Sequence, residues 1–256
     1  MEATTPVLLE PVVGLRPSDP ESLRRPNGTY ADDAVVWSSY WKTVLQTTGY
    51  SAFEPVVPGT NLVRPESLSD DDLRLLVEVH LGPLTESGEP VEETIALNGG
   101  LALYVDGVLR LRPQCCCHLS DIHGWAELLD PAFDKGSLIW EGHPDPLVET
   151  SLEAIVLKCD DGDRPLKWNG EEWRPFDDGR TYRSVGGEEF SMPAEARIVL
   201  RRRPLRSAVE TAADELRRLS ERLRRVLPAS YSDIVCRRLV WYSDIHDTDL
   251  PVSLSP

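Results

Sequence analysis

The chain has 256 residues, of which 41% are hydrophobic and 27% charged, and it carries a net charge of −16 at pH 7. It contains no run of about 18 apolar residues, which argues against a membrane span, and its N-terminus lacks the basic start and apolar centre of a signal peptide. Five cysteines, three of them adjacent, make a poor disulfide framework, so we expect reduced thiols and a cytoplasmic protein.

The charge is unevenly distributed along the chain. Residues 1–200 carry a net charge of −19, whereas residues 201–256 carry +3. A negative field opposes nucleic-acid binding, whose affinity comes from contacts between cations and phosphates, and it speeds encounter with a basic protein. We therefore predict a basic protein partner. The residues predicted to contact it are Asp70, Asp71, Asp72, Glu92, Glu93, Asp160, Asp161 and Asp163.

The first 30 residues are rich in proline and show no sustained periodicity. This pattern predicts an extended N-terminal arm (1–30) ahead of a single domain (31–256). After the arm, Asp32 and Asp33 precede apolar residues at helical spacing, which predicts a helix with its tryptophans in the core. The apolar residues of this helix are Val36, Trp37, Tyr40, Trp41, Val44 and Leu45.

Residues 73–81 alternate between apolar and other side chains, which predicts a strand, and a loop containing proline and glycine is expected after it. Residues 94–105 have the composition of a second strand, interrupted at Asn98-Gly99-Gly100. Asp106-Gly107 separates two apolar segments, and this dipeptide predicts a two-residue hairpin turn.

Several short elements are expected in the second half of the chain. Trp125, Leu128 and Leu129 predict a short helix, capped by Ser120 or Asp121. Strands are predicted at 137–140, 152–158 and 197–200, and Asn169-Gly170 predicts a further hairpin. The sequence thus predicts an α+β fold, in which a mostly antiparallel central sheet is combined with a short N-terminal helix and a long C-terminal amphipathic helix.

The long helix is predicted at residues 207–227, where apolar residues recur at spacings of three and four. Ser207 and Glu210 have the spacing of a capping box, and Pro228 is expected to end the helix. Its other face is rich in arginine and forms the basic zone of the sequence. We expect this zone to contact acidic residues of the same molecule or of a second copy in a homodimer.

The sequence Cys115-Cys116-Cys117-His118-Leu119-Ser120-Asp121-Ile122-His123 follows the predicted hairpin and combines thiols, imidazoles and a carboxylate. One interpretation is a zinc-binding protein or a zinc-dependent hydrolase. A second is a reactive cysteine with a histidine base, and a third is a buried polar loop without ligand, in which cysteines pack as hydrophobes. The predicted ligands for the zinc interpretation are Cys117, His118, Asp121, His123 and His143.

Part of the sequence, from Asn98-Gly99-Gly100 through Cys115-Cys116 to Trp140-Glu141-Gly142-His143-Pro144, resembles uncharacterised bacterial proteins akin to the immunity proteins of polymorphic toxin systems, including the SUKH superfamily. Leu227-Pro228-Ala229-Ser230-Tyr231 is similar to the Leu-Pro-x-x-Tyr element of that superfamily, where the element precedes Asn-Gly-Gly rather than following it. The resemblance implies an acidic α+β protein that neutralises a toxin by binding. No nucleotide-binding loop or nucleophile elbow is found in the sequence, and we therefore expect a non-enzymatic interaction protein without a cofactor.

Overall fold

The computed structural model shows the α+β fold that the sequence predicts, and every strand pair among its described residues is antiparallel. None of the described helices combines the length and the apolar content needed to cross a bilayer. The structure describes residues 5–17, 25–27, 33–51, 54–113, 117–130, 132–133, 146–158, 166–168, 173–175, 181–183, 189–191, 197–229, 231 and 233–241.

A four-stranded sheet contains β1 (Val7–Gly14), β2 (Leu62–Val63), β3 (Gly99–Val105) and β4 (Val108–Leu111), in the order β2-β1-β3-β4. The assignment of residues 7–14 to an arm outside the domain is wrong, because β1 is an inner strand and Leu9 and Val13 are fully buried. Proline is tolerated at position 11 because β2 pairs only with residues 13 and 14 of β1. Beside Pro11, the β2 side of β1 has no neighbouring strand that would need a backbone N–H from this residue.

Helix α1 (Ala34–Thr47) begins at Asp33, whose carboxylate accepts a hydrogen bond from the Val36 amide at 3.0 Å. The predicted helix is thus confirmed, whereas the assignment of its tryptophans to the core holds only in part, because Trp41 packs against the core but is not fully buried. Only Val44 and Leu45 of this helix are buried. Trp37 and Trp41 are half-buried at its surface, where they and Tyr40 form an aromatic cluster with ring centroids 5.2–6.5 Å apart.

The strand predicted at residues 73–81 is wrong, because these residues belong to helix α2 (Asp70–Ser87). Leu73, Leu76, Val77 and Leu81 are buried, and their spacing is helical. The N-terminal signal of this helix decides the conformation: Ser69 and Asp72 form a capping box, and three aspartates occupy the first turn, where the helix dipole favours negative charge. Pro83 lies inside the helix rather than in a loop.

The close approach of β1 and β3 requires glycine at position 99, and the backbone conformation favours glycine at position 100. Both glycines have a positive φ, 139° and 127°, and a Cβ at Gly99 would lie 2.0 Å from the Val12 carbonyl oxygen. Residues 94–97 are not in a strand, so β3 is shorter than predicted. The predicted Asp106-Gly107 hairpin is confirmed, with φ values of 54° and 71° at the two turn residues.

Three further sheets are found among the described residues. A three-stranded sheet contains β5 (Leu147–Thr150), β6 (Ala154–Lys158) and β11 (Arg197–Arg201), of which β6 and β11 were predicted. The strands on either side of the predicted Asn169-Gly170 hairpin, β7 (Leu166–Trp168) and β8 (Trp173–Pro175), pair with each other, while the turn itself lies outside the described residues. Strand β9 (Thr181–Arg183) pairs with β10 (Glu189–Ser191). The strand predicted at 137–140 lies outside the described residues.

Helix α4 (Arg202–Val226) packs against β1 and joins the sheet to α2, α3 (Ile122–Glu127) and α5 (Asp233–Trp241). The helix begins five residues before the predicted start, because β11 leads directly into it. Ser207 is therefore inside the helix, where its carbonyl oxygen accepts a hydrogen bond from Thr211, and the predicted capping box is wrong. The predicted end is confirmed, since Leu227 is the C-cap and Pro228 follows it.

Candidate functional site

The Cys–His segment is held by the backbone of the neighbouring strand. The Gly99 amide donates to the Cys117 carbonyl oxygen at 3.0 Å, and the Leu119 amide donates to the Leu97 carbonyl oxygen at 3.1 Å. Cys117 is 3% exposed. Asp121 accepts hydrogen bonds from the His118 amide, at 3.0 Å, and from the Cys117 thiol. These contacts agree with the interpretation of the segment as a buried polar loop.

Burial controls the protonation of this loop. It raises the pKa of Asp121 to about 6, although the hydrogen bonds from His118 and Cys117 work in the opposite direction. It lowers the pKa of His118, with a smaller contribution from Arg16. The pKa of His123 is lowered by burial as well, while its Nε2 atom lies 3.3 Å from the Trp241 carbonyl oxygen. The neutral forms of all three side chains are thus favoured by the same environment.

The predicted zinc ligands are not brought together within the described part of the chain. There, no group of three or more His, Cys, Asp or Glu side chains lies in positions that would hold a metal ion. His123 is turned towards α5, whereas Asp121 is hydrogen-bonded to Cys117 and the His118 backbone. His143, Cys115 and Cys116 lie outside the described residues, and the zinc interpretation stays a prediction that depends on them.

The first three predicted partner-binding residues differ from one another in environment. Asp72 is 2% exposed and accepts hydrogen bonds from Ser51 and Ser69, so its assignment to a partner-binding surface is wrong. Asp70 pairs with Arg222 of α4 at 2.8 Å, and Asp71, whose side chain is 91% exposed, pairs with Arg74. Asp70 and Asp72 therefore contact neighbouring elements of the fold, whereas Asp71 pairs within its own helix and stays exposed.

A further group of exposed carboxylates lies in the second half of α2 and in the segment after it. Glu92 and Glu93 lie on a short 3-10 turn (Val91–Glu93) and are exposed, which a residue predicted to contact a partner has to be. Glu78, Glu86 and Glu89 are exposed on the preceding helix and loop. No lysine or arginine occurs from residue 75 to residue 109. We call Glu78, Glu86, Glu89, Glu92 and Glu93 the α2 acidic surface. The predicted contacts Asp160, Asp161 and Asp163 lie outside the described residues.

A groove of about 330 Å³ lies between β1 and α4. Its floor includes apolar residues such as Leu216 and Leu219, and its walls carry charges of both signs. On the sheet side, the Nε atom of Arg64 donates a hydrogen bond to one carboxylate oxygen of Glu10 at 2.6 Å, and its Nη2 atom donates one to the other oxygen at 3.1 Å. This volume is within the range of small-ligand sites, which begins at about 300 Å³. We call it the β1–α4 groove.

The helix side of the groove presents Glu215, Arg218 and Arg222. Burial, together with Glu66 and Glu10, raises the pKa of Glu215, while Arg218 and Arg64 lower it. Sequence reasoning missed this site, because its walls come from segments about 150 to 210 residues apart and each charge is typical of a solvent-facing helix or loop position. No local pattern in the sequence indicates the groove.

Comparisons of the chain with protein-family models, with curated proteins and with solved structures found no match.

Proposed function

We propose that the chain is a non-enzymatic cytoplasmic protein that binds a basic protein partner through the α2 acidic surface, and that the partner is a toxin which it neutralises. The observation that carries the proposal is a set of five exposed carboxylates in a stretch without a lysine or arginine. Complementary charge raises the rate of encounter with a basic partner and selects against acidic ones.

The position of Glu86 supports an external partner. Glu86 lies in the last turn of α2, and this turn contains no basic residue. Negative charge at a helix C-terminus opposes the helix dipole, at a cost of about 0.3–1 kcal/mol for each exposed group. Glu89 follows directly after the C-cap residue Gly88 and adds to the same unfavourable field. Cations of a bound partner would offset this cost, whereas nothing within the described residues does so.

The test is a charge-reversal variant, Glu86→Lys/Glu89→Lys, in a pull-down from the source cell with a salt titration. Because the new lysines favour the dipole at the end of α2, the variant should be at least as stable as the parent and yet lose the partner. The matched control is Glu210→Lys/Glu221→Lys, which changes the net charge equally at exposed positions of α4.

Three outcomes would contradict the proposal. One is the recovery of no basic protein at low salt. Another is equal capture by the α2 variant and the α4 control. The third is a captured toxin whose activity is unchanged by saturating amounts of the chain, which would contradict neutralisation but not binding.

A further inference from the structure

Helix α1 presents apolar side chains to solvent. Val36 is 47% exposed, and the rings of Trp37, Tyr40 and Trp41 are only partly buried. The three rings contact one another with centroids 5.2–6.5 Å apart. Because the indole nitrogen of Trp37 is buried, the accessible part of this ring is hydrocarbon. We call Val36, Trp37, Tyr40 and Trp41 the α1 aromatic face.

The α1 aromatic face lies in a stretch of sequence without negative charge. Residues 34–53 contain no aspartate or glutamate, although the whole chain has 43 of them. Lys42 is the one charged residue of α1, and it lies about 100° or more round the helix from each residue of the face. Asp33, at the start of the helix, is the N-cap, and its carboxylate accepts a hydrogen bond from the Val36 amide. The helix therefore offers an apolar contact surface without acids of its own.

The net charge of the molecule limits how two copies can meet. Each copy carries −16 at pH 7, so two copies repel each other. In a contact about a twofold axis the same surface is used by both copies, and an acidic surface would therefore bring like charges together. The α1 aromatic face avoids this repulsion and gains free energy when it is covered. If the two helices are antiparallel, the N-terminus of each lies near the C-terminus of the other, which their dipoles favour.

We propose that the chain forms a homodimer in which the α1 aromatic faces of two copies pack against each other in antiparallel orientation. This inference goes beyond the proposed function, because the α2 acidic surface takes no part in the contact. With 14 residues, α1 is about 21 Å long, which is too short to bury the ~800 Å² per copy of a standard interface. We therefore expect a weak dimer, with a Kd on the order of 10–100 µM.

Salt distinguishes this contact from one made by opposite charges. Added salt screens the repulsion between two acidic molecules and leaves an apolar contact intact, so it should strengthen the proposed dimer. A dimer in which the α2 acidic surface of one copy contacts the arginines of α4 in the other should instead weaken as salt is added.

The experiment is sedimentation equilibrium of the full chain from about 1 to about 300 µM, in about 0.05 M and about 0.5 M NaCl. We expect a monomer–dimer equilibrium whose Kd falls by about threefold or more at the higher salt concentration. Val36→Glu should leave the chain monomeric throughout this range. Each copy then brings one carboxylate into the apolar contact, at a cost of about tenfold in Kd, and the two copies together raise the Kd about 100-fold.

The matched control is Val35→Glu. Val35 is the neighbouring residue and is 80% exposed, but it lies about 100° round the helix from Val36 and outside the α1 aromatic face. This variant changes the net charge equally and should keep the parental Kd within about twofold at the higher salt concentration. Both positions are in the first turn of α1, where a carboxylate suits the helix dipole, so both variants should keep the fold, as thermal unfolding followed by circular dichroism would verify.

A monomer at every concentration and at both salt concentrations would overturn the inference, and it would leave the α1 aromatic face for a foreign protein. A dimer that weakens with added salt would overturn it as well, as would equal effects of the two substitutions on the Kd. None of these measurements involves a partner protein. The absence of a dimer therefore leaves the α2 acidic surface to be judged by the pull-down, and an empty pull-down would contradict only the proposed function.

Discussion

Replacing Asp72 by alanine should lower the free energy of unfolding by about 3 kcal/mol, although the sequence places this residue in a run of surface acids. Its carboxylate accepts hydrogen bonds from the Ser51 amide at 2.7 Å and from the Ser51 hydroxyl at 2.6 Å. It also accepts hydrogen bonds from the amide and the hydroxyl of Ser69, at 3.1 and 2.6 Å. Asp72 thus fastens the segment after α1 to the first turn of α2.

The magnitude follows from these four hydrogen bonds. A hydrogen bond to a charged group contributes about 1.5–3 kcal/mol. Both serine hydroxyls lie near the surface and regain water when the carboxylate is removed, whereas the Ser51 amide loses its acceptor and the helix loses its capping box. The removal of two strong hydrogen bonds, each at the lower end of that range, amounts to about 3 kcal/mol.

The assay is urea denaturation at pH 7 of Asp72→Ala and of its neighbour Asp71→Ala. The Asp71 side chain is 91% exposed and has one ion pair within its own helix, so its loss should cost less than about 0.5 kcal/mol. A cost below about 1 kcal/mol for Asp72→Ala, or equal costs for the two variants, would refute the reasoning. Burial raises the pKa of Asp72, but the hydrogen bonds from Ser51 and Ser69 outweigh it and lower the pKa overall. Its contribution should therefore be present above the unfolded-state pKa of about 3.9 and be lost as the pH falls through the lower folded value.

Three further changes test the fold and the buried loop. In urea denaturation, Gly99→Ala should lower the free energy of unfolding by about 3 kcal/mol or more, because the new Cβ would meet a backbone carbonyl of β1. As the control, Gly88→Ala should lower it by about 1 kcal/mol, because the surroundings of Gly88 are open. Arg222→Ala should lower the free energy of unfolding by about 2 kcal/mol, because it removes the hydrogen bonds from α4 to the Leu68 carbonyl and to the start of α2, and Arg222→Lys should restore less than half of it. Because the folded pKa of Asp121 is raised to about 6, its favourable contribution is complete below about pH 4 and is lost as the pH rises through 6. The stability of Asp121→Asn relative to the parent should therefore increase by about 2 kcal/mol between pH 4 and pH 7, and a difference that does not depend on pH would contradict this assignment.

Boundaries and turns that carry a local signal could be predicted from the sequence. Asp33 begins α1, Asp106-Gly107 turns the hairpin, and Pro228 ends the long helix, as local chemistry requires. The apolar period was less informative. In α2 the alternation of residues 73–81 competed with a helical period through the same leucines and valines, and the capping box at Ser69 decided between them.

Tertiary contacts decide what local pattern could not. Residues 7–14 lie in a proline-rich segment typical of an arm, yet β1 is the strand on which α4 packs, because its valines and leucines complete the core from the far end of the chain. The β1–α4 groove depends on the same distant contact. Charges on its walls are typical of any solvated surface, and only the packing of α4 on β1 turns them towards one another.

Some acidic residues of α2 are paired within the molecule, and others are not. Asp70 pairs with the arginine-rich helix, and Asp72 accepts four hydrogen bonds, so these two N-terminal acids of α2 stabilise the molecule itself. The basic zone of α4 is partly satisfied in this way within one molecule, as the sequence led us to expect. The acids at the other end of α2 oppose the helix dipole and have no cation in their own stretch of chain. We propose that these acids bind an external partner, and they are therefore the first positions at which binding should be sought.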